Sequence, residues 1–134
     1  MKNMQFAFSP DNPDSEYLPH NFVKNGVVYV GTHDNEPIMG WFEYGKKSST
    51  ERAVEYLHLD KKEGYNWGMI RGAYTGTENL AVIQFQDYLG LGMEARTNEP
   101  STLGKNWKWR LEKRYLTDRL AGKIRHLAEL YARI

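Results

Sequence analysis

Three short apolar runs, set far apart along the chain, constrain this fold more than any other feature of the sequence. Met4-Gln5-Phe6-Ala7-Phe8, Val27-Val28-Tyr29-Val30 and Leu80-Ala81-Val82-Ile83-Gln84-Phe85 carry the β-branched and aromatic side chains of buried strands. Residues 9–26 and 31–79 separate them, far more chain than the roughly two to five residues of a hairpin loop. Long connections favour parallel pairing. The third run is almost continuously apolar, the pattern of a strand covered on both faces, as parallel sheets require. Three parallel strands alone would leave open sheet edges. The expected class is α/β, in the form of a piece of a larger sheet or barrel.

The segments between the runs supply loops and helices. Pro10, Pro13 and Pro19 make residues 9–21 a loop, ending in His20-Asn21, which either faces a ligand or caps the next turn. Pro37 is expected to keep a regular helix from starting before Gly40-Trp41. Ser48 and Glu51 have capping-box spacing ahead of a helix with Ala53, Val54 and Leu57 on one side. Trp67 to Tyr74 reads as a second helical stretch. Thr117 is a good N-cap for a terminal helix, in which Leu120, Ile124, Leu127, Tyr131 and Ile134 form a core-facing stripe.

The chemistry gathers where the second run stops. Gly31 is followed at once by Thr32-His33-Asp34-Asn35. The carboxyl ends of strands are where α/β proteins collect ligands and reactive groups. An Asp between His and Asn can orient a ligand and stabilise charge on it, although the same residues also build ordinary polar turns. The chain has no cysteine, which excludes disulfides, thiolate metal sites and cysteine nucleophiles. No apolar run approaches the ~20 residues of a membrane span, and the N-terminus leads into no signal-type apolar core. A cytoplasmic setting without membrane contact is therefore expected. A net charge of +1 draws no strongly charged partner. Acidic residues predominate before residue 44, and Lys and Arg predominate from Thr102 onward, near Trp107 and Trp109. Such a basic, aromatic stretch can bind nucleic acid, but it is more often the solvated face of a helix, and no nucleic acid is expected.

Several blocks in order resemble the 4-alpha-glucanotransferases, the amylomaltases or disproportionating enzymes of glycoside hydrolase family 77. They are Met4 to Phe8, Tyr17-Leu18-Pro19-His20-Asn21, Val28 to Asn35 with Gly40-Trp41, and Asp87-Tyr88-Leu89-Gly90-Leu91-Gly92. Glu94-Ala95-Arg96, Asn98, Pro100 and Asn106-Trp107-Lys108-Trp109-Arg110 continue the match almost to the final helix. Two places depart from the usual pattern: Glu36-Pro37-Ile38-Met39 stands where small hydroxyl residues are common, and Thr97 where Met is usual.

The resemblance implies a (β/α)8 TIM barrel that transfers α-1,4-glucan segments to glucose or maltooligosaccharide acceptors by a retaining double displacement. The matching strands are its sixth, seventh and eighth, so residues 1–134 would be the C-terminal segment of the catalytic barrel. A whole barrel takes roughly 250 residues, and the rest of it would be a partner of this segment. Asp34 matches the transition-state stabiliser, and His33 a neighbouring sugar ligand. Tyr29, Asn35, Asn98 and Pro100 are implied as further substrate contacts. Neither a cofactor nor a metal is implied. The nucleophile and the general acid/base belong to the fourth and fifth barrel strands, and Asp87, Glu36 and Glu43 lack the family context to replace them. The isolated chain is therefore expected to be inactive and to self-associate through its open sheet edges. The alternative is a non-catalytic module that binds α-glucans through its aromatic side chains.

Overall fold

The computed structural model describes residues 1–134 and contains a three-stranded sheet with five helices. β1 (Lys2–Asn3), β2 (Val27–Tyr29) and β3 (Leu80–Val82) lie in the order β1-β2-β3, and both pairings are parallel. Val28 sits opposite Lys2 on one side and Ala81 on the other, while Tyr29 pairs with Asn3 and Val82. Alternation along β2 sends Val28 and Val30 into the core and leaves Tyr29 half-buried on the opposite face. The core joins Met4, Phe8, Val28, Val30, Ile38, Trp41, Met69 and Ile70 into one cluster. That cluster covers one face of the sheet. The other face stays partly open, with Leu80 52% exposed.

The first run, expected as a strand over Met4–Phe8, is not one: β1 lies just before it, at Lys2–Asn3, and the run opens with a 3-10 turn. Asn3 ends β1 because its side-chain oxygen accepts the Gln5 N–H at 3.1 Å, capping a 3-10 turn at Met4–Phe6. Met4, Ala7 and Phe8 are nonetheless fully buried, while the turn leaves Phe6 57% exposed, so most of the run is core without being strand. The third run splits. β3 stops at Val82, and Phe85–Leu89 forms the short helix α4, closed by Gly90 in the left-handed conformation at φ 66°.

Helix α1 (Ile38–Tyr44) begins directly after Pro37, two residues earlier than expected. Proline is compatible with a helix start, where its missing N–H has no intrahelical partner to lose. Only Gly45 and Lys46 separate α1 from α2 (Lys47–Tyr56), so α2 starts before Ser48 can act as its cap. The expected capping box does not form, and the Ser48 hydroxyl is left without a partner. Helix α3 spans Tyr65–Tyr74. In the last helix, α5 (Asp118–Leu130), Thr117 caps as expected by accepting the Leu120 N–H at 3.1 Å. Leu127 is buried, while Leu120, Ile124 and Tyr131 pack against the core and Ile134 remains exposed. His20 and Asn21 take their structural role. His20 Nδ1 lies 2.7 Å from the Tyr56 hydroxyl, and the Asn21 amide donates to Asp14 and to the Ser15 carbonyl.

Asp87 does not end a strand or line a cleft. It is fully buried in α4, where one carboxylate oxygen accepts the Ile38 N–H at 2.7 Å. It thus caps α1 across 49 residues of sequence, in place of the cap that Pro37 cannot provide. Its second oxygen has no partner in the protein. Burial pushes its pKa from 3.8 up to about 7, against the opposing pull of the Ile38 N–H. The folded state therefore holds this proton over a range in which the unfolded chain has lost it. Stability should fall as pH rises from about 4 to about 7 and then level off, a change on the order of 4 kcal/mol. Urea denaturation across that range should show the fall in the native chain, and Asp87→Asn should flatten it.

Candidate active-site corner

The polar residues after β2 are held by a dense set of hydrogen bonds. The Asn35 side-chain oxygen accepts the Thr32 N–H at 2.8 Å, the Thr32 hydroxyl at 2.9 Å and the Asn3 amide at 2.8 Å. These bonds close a tight turn over residues 32–35 and tie it to the end of β1. Gly31 lies under the Gln5 side chain, and a Cβ there would come within 2.5 Å of Gln5 Nε2. The same Gln5 nitrogen donates to the Glu36 carbonyl at 2.7 Å. The loop is thus pinned on both sides of Asp34.

Asp34 points outward from this turn with its side chain 48% exposed. Asn98 Nδ2 donates to Asp34 Oδ1 at 2.7 Å, and the Asn98 N–H donates to the His33 carbonyl at 3.1 Å. His33 Nε2 lies 3.3 Å from the same Asp34 oxygen. Arg96 organises the rim: it donates to the Asp34 carbonyl at 2.8 Å and to the Asn98 carbonyl at 2.9 Å, and it pairs with Glu36 at 3.3 Å. A cavity of about 430 Å³ opens beside Asp34, lined by Tyr29, Gly31, Thr32 and His33 from the β2 side and by Val82, Ile83 and Gln84 at the end of β3. Asp34 is the one carboxylate in its lining.

The structure brings His33, Asp34 and Asn98 together and puts Tyr29 in the wall of the same cavity. Asn35 is turned the other way, its oxygen committed to the chain itself. Pro100 is exposed two residues beyond Asn98 and does not line the cavity. The sequence named Gln5, Arg96 and Trp107 only within the matching blocks, and Trp107 also within the basic, aromatic stretch, without placing any of them at this corner. The Trp107 ring packs on His33 with centroids 5.2 Å apart. Both family departures have a place in this corner. The Thr97 hydroxyl accepts from Gln86 at 2.9 Å, which a thioether would do only weakly, and Glu36 is the partner of Arg96. A larger concavity, of about 580 Å³, lies away from this corner among α1, α2 and α3, between Phe42, Val54 and Tyr65.

The sequence profile of the 4-alpha-glucanotransferase family matches residues 1–117. A 4-alpha-glucanotransferase of Clostridium butyricum is 51% identical over 134 residues, covering 99% of this chain and 27% of the relative. One from Synechocystis is 40% identical over 134 residues, covering 99% of this chain and 26% of the relative. Among solved structures, an amylomaltase from Streptococcus agalactiae in complex with acarbose superposes with a TM-score of 0.92 at 32% identity. That match covers 98% of this chain and 27% of the amylomaltase. The chain thus spans about a quarter of the length of the relatives it matches.

Gly31→Ala should force the Gln5 side chain off the Glu36 carbonyl. The expected destabilisation is about 1–3 kcal/mol, typical of overpacking at a tight contact, read as a lower urea midpoint at unchanged slope.

Proposed function

This chain belongs to the 4-alpha-glucanotransferase family, and from that premise we propose that it forms one wall of an α-1,4-glucan transfer site. The observation that carries the reading is Asp34. Its half-exposed carboxylate is fixed by Asn98, set beside His33 and turned toward a cavity at the carboxyl ends of parallel strands. In this reading the sheet supplies the sixth to eighth strands of a (β/α)8 barrel. Two unpaired edges and the half-open face carrying Tyr29 and Leu80 support further strands beyond it.

Retaining transfer breaks one glycosidic bond and makes another through a covalent glycosyl intermediate. It needs a nucleophilic carboxylate and an acid/base carboxyl only about 5–5.5 Å apart. The transition state has oxocarbenium character, and Asp34 stabilises the positive charge as it develops. His33 and Asn98 hold the sugar hydroxyls and the carboxylate in register. The cavity offers no second carboxylate, so the nucleophile and the acid/base come from elsewhere in the barrel. The partners of the chain are maltooligosaccharides, the remaining barrel strands and, in their absence, a second copy of itself.

Two outcomes are expected of the 134-residue chain. It should give a saturable calorimetric titration with maltooligosaccharides and release no glucose from maltotriose. Asp34→Ala should weaken that binding by roughly tenfold or more, as expected for losing a hydrogen bond to a charged group. A flat titration of the unaltered chain would sink the glucan reading, and turnover by it would sink the division of catalytic groups. Light scattering should also show the mean mass rising with concentration, whereas a constant monomer mass would count against exposed sheet edges.

A further inference from the structure

Asn98 and Trp107 are the two feet of one loop, and they land on adjacent residues of the corner. Asn98 bonds the His33 carbonyl and the Asp34 carboxylate. The Trp107 N–H returns to the Thr97 carbonyl at 2.7 Å, which brings its indole onto the His33 ring at 5.2 Å with the planes tilted by 38°. Asn106 closes the loop by accepting the Glu99 N–H at 2.9 Å and donating to the Thr102 carbonyl at 3.0 Å. Arg110 clamps the second foot by donating to the Trp107 carbonyl at 3.0 Å.

Trp107 is held at a backbone cost. Its φ is +62°, a left-handed conformation that bulky side chains rarely adopt. Strain of this kind persists where the surrounding bonds over-determine it, and it concentrates at ligand sites. Even after packing on His33, Trp107 stays 58% exposed. A large, rigid aromatic is thus strapped in an unfavourable backbone conformation beside an exposed carboxylate and an exposed imidazole.

We propose that Trp107 is a sugar-binding residue of this corner, an aromatic wall against which a hexopyranose ring of an α-1,4-glucan stacks while Asp34 and His33 take its hydroxyls. A pyranose is amphipathic in the way the corner is. Its ring hydroxyls suit the carboxylate and the imidazole, and its C–H face suits an indole. Polar contacts alone replace equal contacts with water and contribute little net affinity. The apolar face of the sugar gains from burial against the ring, and a Trp side chain has few rotatable bonds to immobilise. Contact with His33 adds a positioning role, since the indole restrains the imidazole that borders Asp34.

The inference rests on the glucan-transfer reading, and the experiment separates the two. Maltoheptaose is titrated into the native chain, Trp107→Phe and Trp107→Ala by calorimetry and by tryptophan emission, with circular dichroism as the folding control. The native chain should bind with a saturable change in emission. Trp107→Ala should weaken binding by about tenfold. Trp107→Phe, which keeps a smaller stacking face and the same χ1 choices, should fall within about threefold of native while losing most of the emission change. Native-like binding by Trp107→Ala overturns the inference and leaves the glucan reading standing. Binding by Trp107→Phe as weak as that of the alanine variant, in a folded protein, overturns stacking as the cause. No binding by the native chain overturns both.

Discussion

The side-chain oxygen of Asn35 accepts three hydrogen bonds, and the arrangement of the corner depends on them. Two come from Thr32 and fold the chain back on itself immediately after β2. The third comes from Asn3, whose own oxygen ends β1 by capping the following turn. One acceptor therefore sets where β2 releases the chain and fixes that point against the neighbouring strand. Gly31 completes the device, because only a residue without a Cβ lets Gln5 lie across the turn and reach the Glu36 carbonyl. Without these contacts, the direction of Asp34 would be set by a free loop rather than by the sheet.

Buried polar groups extend the same control to the helices. Asp87 lies in the core and holds the first N–H of α1, so the segment after β3 fixes the segment after β2. Asn66 of α3 donates to the Asp87 carbonyl at 2.8 Å and brings a third element into the contact. At the opposite end of α3, Arg133 donates to the carbonyls of Ala73, Tyr74, Gly76 and Glu78. That guanidinium satisfies the last two carbonyls of α3 and two of the turn that follows, and it anchors the segment after α5. Glu78, 2% exposed with both carboxylate oxygens unpartnered, has its pKa raised by burial. Both buried carboxyls are disfavoured in their ionised forms, which makes them sources of pH dependence rather than of net stability.

The sequence was most legible where one local signal decides the outcome. β2 and its stop just before Gly31, the Thr117 cap and the stripe of α5 all rest on period and cap chemistry within a few residues. It was least legible where a distant group decides. Met4 to Phe8 has strand composition, but the side chain of Asn3 bends it into a 3-10 turn. Pro37 reads as an obstacle to a helix until Asp87, far along the chain, is seen to cap α1. Ser48 and Glu51 have capping-box spacing, but the two-residue link from α1 sets the start of α2 first. At the corner, the blocks that resemble the family single out Asp34, His33 and Asn98, which the fold brings into contact. The place of Trp107 beside His33 was not legible, because nothing in its neighbours' identities tells that residues 98–107 form a loop returning to His33.

Adjacent residues of the corner are put to opposite uses, and electrostatics explains why the middle one is available. Asn35 faces inward and satisfies the chain. Asp34 faces outward, and the nearest guanidinium does not neutralise it: Arg96 binds the Asp34 carbonyl and pairs its charge with Glu36 instead. Glu36, a departure from the usual family pattern, thus keeps the positive charge of Arg96 occupied while the rim stays rigid. The direct side-chain neighbours of the Asp34 carboxylate are a neutral amide and the imidazole of His33. A carboxylate stabilises a developing cation best when no fixed cation already cancels its field. Pairing Arg96 with the Asp34 side chain would make a stronger salt bridge and, in the role proposed for Asp34, a poorer stabiliser. The geometry keeps the arginine as a brace on the backbone and leaves the Asp34 carboxylate without a guanidinium partner.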